Sequence, residues 1–192
     1  MSNCRFLARV ALVFAFASGS CLALADEGPG FDNISPETYS QMLVDAVQAH
    51  HGERYRESFT LFQRLACAGD KTSQEQLGLM YLTGEGVPKS AVKAYLWLAL
   101  AAEYNFAPYR TTAKRVESVF TAEQMKTVAP LADDLRGRYG QRATNVTCNA
   151  QSNSSFSSNI KNSVVCSPKH GVSMLLVHRC YAEEQSGPAL DH

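Results

Sequence analysis

The sequence predicts an all-α core, a run of amphipathic helices set between an apolar leader and a polar, cysteine-bearing tail. Three observations predict it. Apolar residues recur at i, i+3, i+4 and i+7 through residues 35–140, cap and stop residues separate the segments, and a shift of 36 residues lays the fourth helix on the second. Under that shift Trp97 falls on Leu61, Ala101 on Leu65 and Ala102 on Ala66. A fixed period of this length marks stacked helix hairpins.

The elements follow in order. Ser35-Pro36-Glu37 supplies an N-cap, a first-turn proline and a first-turn acid. Tyr39, Met42, Leu43, Ala46 and Val47 then share one face until Gly52. A second helix carries Tyr55, Phe59, Phe62 and Ala66 and stops at Gly69. Thr72 or Ser73 opens a third, with Leu77, Met80 and Tyr81 on its apolar side, and Gly84 and Gly86 break it. Ser90 caps a fourth, which is rich in Ala and aromatic residues. A fifth spans Tyr109 to Val119. Thr121 with Gln124 at N3 is a capping box opening a sixth, which Pro130 is expected to kink or split near Ala129.

Composition bounds the function. Of 192 residues, 45% are hydrophobic and 19% charged, with 18 Lys+Arg against 18 Asp+Glu. That apolar content sustains a core and excludes wholesale disorder. Balanced charge gives no basic stripe for nucleic acid. No apolar run reaches the roughly 20 residues of a spanning helix, so no stable membrane span is expected once the leader has gone.

Residues 1–25 read as that leader. Arg5 and Arg9 precede the uncharged run VALVFAFA, and Ala23-Leu24-Ala25 offers a small-residue exit before Asp26. This is the pattern of a signal peptide cut after Ala25, which implies a periplasmic or secreted protein. Cys21 follows Ser18 at the position where a lipobox carries Leu, which argues against lipidation. Cleavage leaves 16 basic and 18 acidic residues, a net charge near −2. Residues 26–34 are expected to be a linker, 35–140 the helical domain and 141–192 a polar tail.

Four cysteines survive cleavage: Cys67, Cys148, Cys166 and Cys180. In an oxidising compartment they suggest two disulfides, with three connectivities left open. Their spacing does not match the C-x-x-C pairs of zinc or redox sites. Residues 143–163, full of Ser, Asn and Thr, are expected to be a loop. Val164–Cys166 and Val172–Tyr181 are expected to pair as a short hairpin through Ser167–Gly171, held by disulfides or by docking on the helices.

Residues 73–102 resemble a Sel-one-like repeat, a relative of the tetratricopeptide repeat, of the type found in secreted bacterial proteins. Leu77, Gly78, Met80, Tyr81, Gly84, Gly86, Val87, Lys93, Ala94, Trp97, Ala101 and Ala102 stand at that motif's positions. Ser73 and Ser90 depart from it, standing where Ala and Asp are usual. The resemblance implies a short right-handed α-solenoid, with the helices at 36–50 and 122–138 sealing its ends. It also implies an adaptor that binds a protein or peptide partner in the cell envelope, without cofactor.

No residue is singled out as catalytic or metal-binding. His50 and His51, being adjacent on a helix, point about 100° apart and do not readily share a metal. His170 and His178 accompany Cys166 and Cys180, thiols that pairing would consume. Glu103, Glu117, Asp133 and Asp134 read as ordinary helix-surface acids. Tyr81, Tyr95 and Trp97 fit a core better than a stacking platform. The alternative is an envelope enzyme, such as a hydrolase acting on β-lactams or peptidoglycan. Cysteine-rich secreted relatives have been linked to β-lactam binding, but they carry a cysteine pair in each repeat, where this chain has only Cys67.

Overall fold

The computed structural model describes residues 31–151 and 163–178. The leader, its cleavage site, Cys21 and Cys180 lie outside the described residues. Six α-helices occupy the expected domain: α1 (Pro36–His51), α2 (Tyr55–Cys67), α3 (Lys71–Thr83), α4 (Ala91–Ala101), α5 (Ala107–Glu117) and α6 (Ala122–Tyr139). A single 3-10 turn, Ala102–Tyr104, extends α4. Consecutive helices pack as hairpins, α1 on α2 and α3 on α4, and α2 and α3 join the two. This is the stack of helix hairpins that the periodicity predicts, and the short helical solenoid that the resemblance implies.

Local chemistry sets the boundaries. The Ser35 hydroxyl accepts the Thr38 N–H, Ser90 accepts that of Lys93, and Thr121 and Gln124 form the reciprocal capping box. Helix α3 starts earlier than expected. Its cap is Asp70, whose carboxylate accepts the Ser73 N–H, so Thr72 and Ser73 lie inside the first turn. Pro130 does not split α6, which runs unbroken to Tyr139. The ring is exposed, as is Lys126, so the carbonyl that loses its i+4 donor there can turn to water.

One continuous core runs through the stack. Tyr39 and Met42 of α1, Phe62 and Leu65 of α2, and Leu77 and Met80 of α3 are all buried in it. Trp97 and Leu98 of α4 continue it to Ala132 and Tyr139 of α6. Helix α6 reaches that core by packing along α4. The Ser58 hydroxyl donates to the Ala46 carbonyl at 2.9 Å, fixing α2 against α1.

The strands differ from expectation. The linker ends in a strand, β1 (Phe31–Ile34), and part of the expected loop is a strand, β2 (Val146–Gln151). The tail strands β3 (Ser163–Pro168) and β4 (Leu175–His178) do not pair with each other. Instead β3 lies antiparallel to β2 and β4 antiparallel to β1. Cys148 stands opposite Cys166 in the β2–β3 ladder, and the two are disulfide-bonded. Closing 18 residues of chain, that bond contributes roughly 3 kcal/mol by loop-closure entropy. Cys67 is disulfide-bonded as well. Strand β3 rests on α3 and α1, and β4 on α2, so the strands are anchored to the helices.

Three glycines test this packing. A Cβ at residue 78 would lie 2.6 Å from Leu98 Cγ, and one at residue 86, where φ is +74°, would overlap the Tyr55 carbonyl. Gly78→Ala is expected to cost about 1–3 kcal/mol by overpacking. Gly86→Ala is expected to cost at least that, through left-handed strain together with overlap. Gly137, inside α6, has nothing within 4 Å of its added Cβ, so Gly137→Ala should gain about 0.5–1 kcal/mol. Urea midpoints of the three variants check the order.

Candidate functional site

The α3–α4 hairpin carries the motif residues, and most of them face inward. Leu77, Met80, Ala94, Trp97 and Ala101 are buried, and Gly78 lets the Leu98 side chain of α4 settle against α3. Gly84 adopts the left-handed cap of α3, at φ +81°. Tyr81 meets Phe59 edge-on at 5.5 Å, with the Lys93 ammonium 5.6 Å from its ring centre. Trp97 stacks on Tyr139 of α6 at 6.1 Å, and Tyr95 meets Phe120 edge-on at 5.7 Å. Tyr81, Tyr95 and Trp97 are buried and belong to the core.

Beneath the hairpin lies a polar cluster that the sequence did not announce. The turn between α2 and α3 places Asp70 and Lys71, both fully buried, at the start of α3. Asp70 accepts hydrogen bonds from the Tyr39 hydroxyl of α1 and from the Ser73 N–H. The Lys71 ammonium donates to Gln74 Oε1 at 3.0 Å, the Leu100 carbonyl at 3.3 Å and Glu103 Oε2 at 2.8 Å. Glu103 also accepts the Gln141 N–H, and Gln74 donates to the Ala66 and Tyr139 carbonyls. The backbone N–H of Lys71 donates to Cys166 Sγ, and the Thr72 hydroxyl to the Val164 carbonyl. One turn of backbone therefore ties α1, α4, α6 and β3 together.

Burial holds the Asp70 carboxyl above the ordinary range, against the hydrogen bonds from Tyr39 and Ser73. Burial lowers Lys71, against the pull of Glu103. Glu103 is itself pushed up by burial, but Lys71 and the Gln141 N–H together bring it below its usual value. An ammonium has three protons, and all three are committed here. The amine is therefore spent on bracing helices, and a base or nucleophile at Nζ would first have to break that bracing.

The sequence candidates fall into separate places. Glu103 departs from its surface reading, for it is the partner of a buried lysine. Asp133 and Asp134 pair with Arg136 and Arg138 on the exposed face of α6. His51 is exposed, whereas the His50 ring contacts Tyr55 and Phe62 edge-on and places Nε2 3.1 Å from Glu85 Oε2. That contact joins the end of α1 to the α3–α4 turn. Glu75 is the carboxyl that sequence reasoning passed over. Half-buried on α3, it is pushed up to about 7 by burial alone. Among the described residues, no group of three or more His, Cys, Asp and Glu side chains is placed to hold a metal. No described helix is long and apolar enough to cross a membrane.

Residues 72–103 match the Sel1 repeat family, so α3, α4 and the turn between them form a Sel1-like repeat. No curated protein matches the chain. Among solved structures, the chain is similar to c5321, a protective antigen of uropathogenic Escherichia coli strains displaying an SLR fold. Identity is 23% and the TM-score 0.43, over 46% of this chain and 19% of that one. The chain thus matches about a fifth of that protein's length.

Two measurements test the cluster. Glu103→Ala leaves the Lys71 ammonium without its carboxylate and should cost about 3 kcal/mol in urea unfolding. Adding Lys71→Met should recover much of that loss, because a charge no longer needs a partner. Glu75 gives a pH signature. Its folded value, about 7, lies above its ordinary 4.5, so the folded chain holds the proton more tightly. Its contribution is full below pH 4.5 and is lost as pH rises through 7. Allowing for its partial exposure, that loss is on the order of 1–2 kcal/mol. Glu75→Gln should remove this component from the pH profile of stability.

Proposed function

We propose that this chain is an exported protein-interaction module, in which a short stack of Sel1-like hairpins presents a rigid surface to a protein or peptide partner in the cell envelope. The observation that carries the reading is the α3–α4 repeat itself. Its motif residues are used up in packing one helix on the next, which leaves the solvent-facing positions free to vary with the partner. The committed protons of Lys71 and the scattered surface acids support a role without chemistry. The Cys148–Cys166 bond and the disulfide at Cys67 support an oxidising compartment, in keeping with the signal-like residues 1–25.

Export is tested by expressing the full chain and sequencing the N-terminus of the mature product. Asp26 is the expected first residue, with the protein recovered from the periplasm or medium, and an intact leader in the cytosol would overturn this part. Binding is tested by cross-linking in the native envelope with the purified chain as bait. A defined protein partner is expected, along with no turnover of a β-lactam or of peptidoglycan. Turnover abolished by one substitution would instead establish the hydrolase reading.

A further inference from the structure

The third hairpin of the stack is open. Helix α6 leaves α5 to pack along α4, and a cleft of about 440 Å³ lies where the α5–α6 corner faces the α3–α4 turn. Leu82 of α3, Val92 of α4, and Val119 and Phe120 of the corner give it apolar walls, and Lys89 and Gln124 also line it. Val119 is 66% exposed, the most exposed of the large hydrophobic side chains in the described residues. An apolar group left in water at a concave site is what a partner side chain can cover.

Charge indicates what accompanies that side chain. Lys89 is the one charged residue in the lining, and no carboxylate shares it. The first turns of α4 and α6 also border the cleft, through Val92 and Gln124, and the positive ends of both helices add to the same sign. From these observations we infer that the cleft docks a partner segment presenting an apolar side chain beside an aspartate or glutamate, the apolar group on Val119 and Phe120 and the carboxylate toward Lys89. This deepens the protein-interaction reading and rests on it.

A displayed library of random peptides, selected on the purified chain, tests the site. Three exposed substitutions are then compared by anisotropy with the enriched peptides: Lys89→Glu and Val119→Glu in the cleft, and Val44→Glu on α1 as a control. Circular dichroism confirms that each variant is folded. Enrichment of a large apolar residue adjacent to Asp or Glu is expected. Each cleft variant should weaken binding about tenfold or more, equivalent to about 1.4 kcal/mol, and the control should leave it unchanged. Raised salt should weaken the wild-type complex. Peptides without an acid, or ones that bind both cleft variants at full strength, would overturn the cleft while leaving a protein partner elsewhere on the surface intact. A library yielding nothing would also overturn it, and the envelope cross-linking then decides separately whether the chain has a partner at all.

Discussion

A buried ammonium constrains how the helices of this fold meet. Lys71 sits at the start of α3 with no solvent contact, and an unpaired charge there would cost several kcal/mol. Its three acceptors come from α3, the end of α4 and the 3-10 turn, so those segments must arrive together for the site to be tolerable. Asp70 makes the same demand on α1 through Tyr39. The cost of burying these groups becomes a constraint on register. A helix slipped by one residue would leave a charge or a hydroxyl stranded, whereas a purely apolar interface would accept the slip more readily.

That constraint matters because a hairpin stack has little else to fix its ends. Each hairpin buries only one face against its neighbour, and repeat proteins draw their stability from such nearest-neighbour contacts. With one Sel1-like unit flanked by less regular helices, the ends here need separate treatment. Helix α1 closes one side and α6 turns onto α4 to close the other. The two small sheets add a second layer, with β3 held to α3 by the Thr72 and Lys71 donors and to β2 by the Cys148–Cys166 bond. Polar and covalent ties thereby add to the contacts between neighbouring hairpins.

What was legible in the sequence was what is local. Gly78, Gly84, Ser90 and the Thr121–Gln124 box act within a turn or across one hairpin, and each behaves as its residue type requires. The polar cluster was not legible, because Tyr39 and Asp70 lie 31 residues apart and Lys71 and Glu103 lie 32 apart. Nothing in the neighbourhood of Glu103 marks it as anything but a surface acid. The strand partners were hidden for the same reason. Strand β1 has four residues, too few to show alternation, and β4, its partner, lies beyond residue 170. In β2, only Val146 and Cys148 carry the buried phase, within a stretch of polar residues. Local propensity favoured pairing β3 with β4, but tertiary contacts to the helices decided otherwise.

Pro130 shows how the same logic shapes the surface. A proline within a helix removes one backbone donor, and the outcome depends on which side of the helix loses it. Here the loss falls on the solvent side, and α6 continues unbroken past it with Val128, Ala132 and Tyr139 buried. Because that inward stripe is committed to α4, α6 is directed away from α5. The connecting corner is consequently left with Val119 in water and with Phe120 only partly covered, turned against Tyr95. The open third hairpin therefore follows from how α6 is partnered. A regular repeat packed against α5 and α6 would cover that corner, whereas among the described residues Val119 stays exposed.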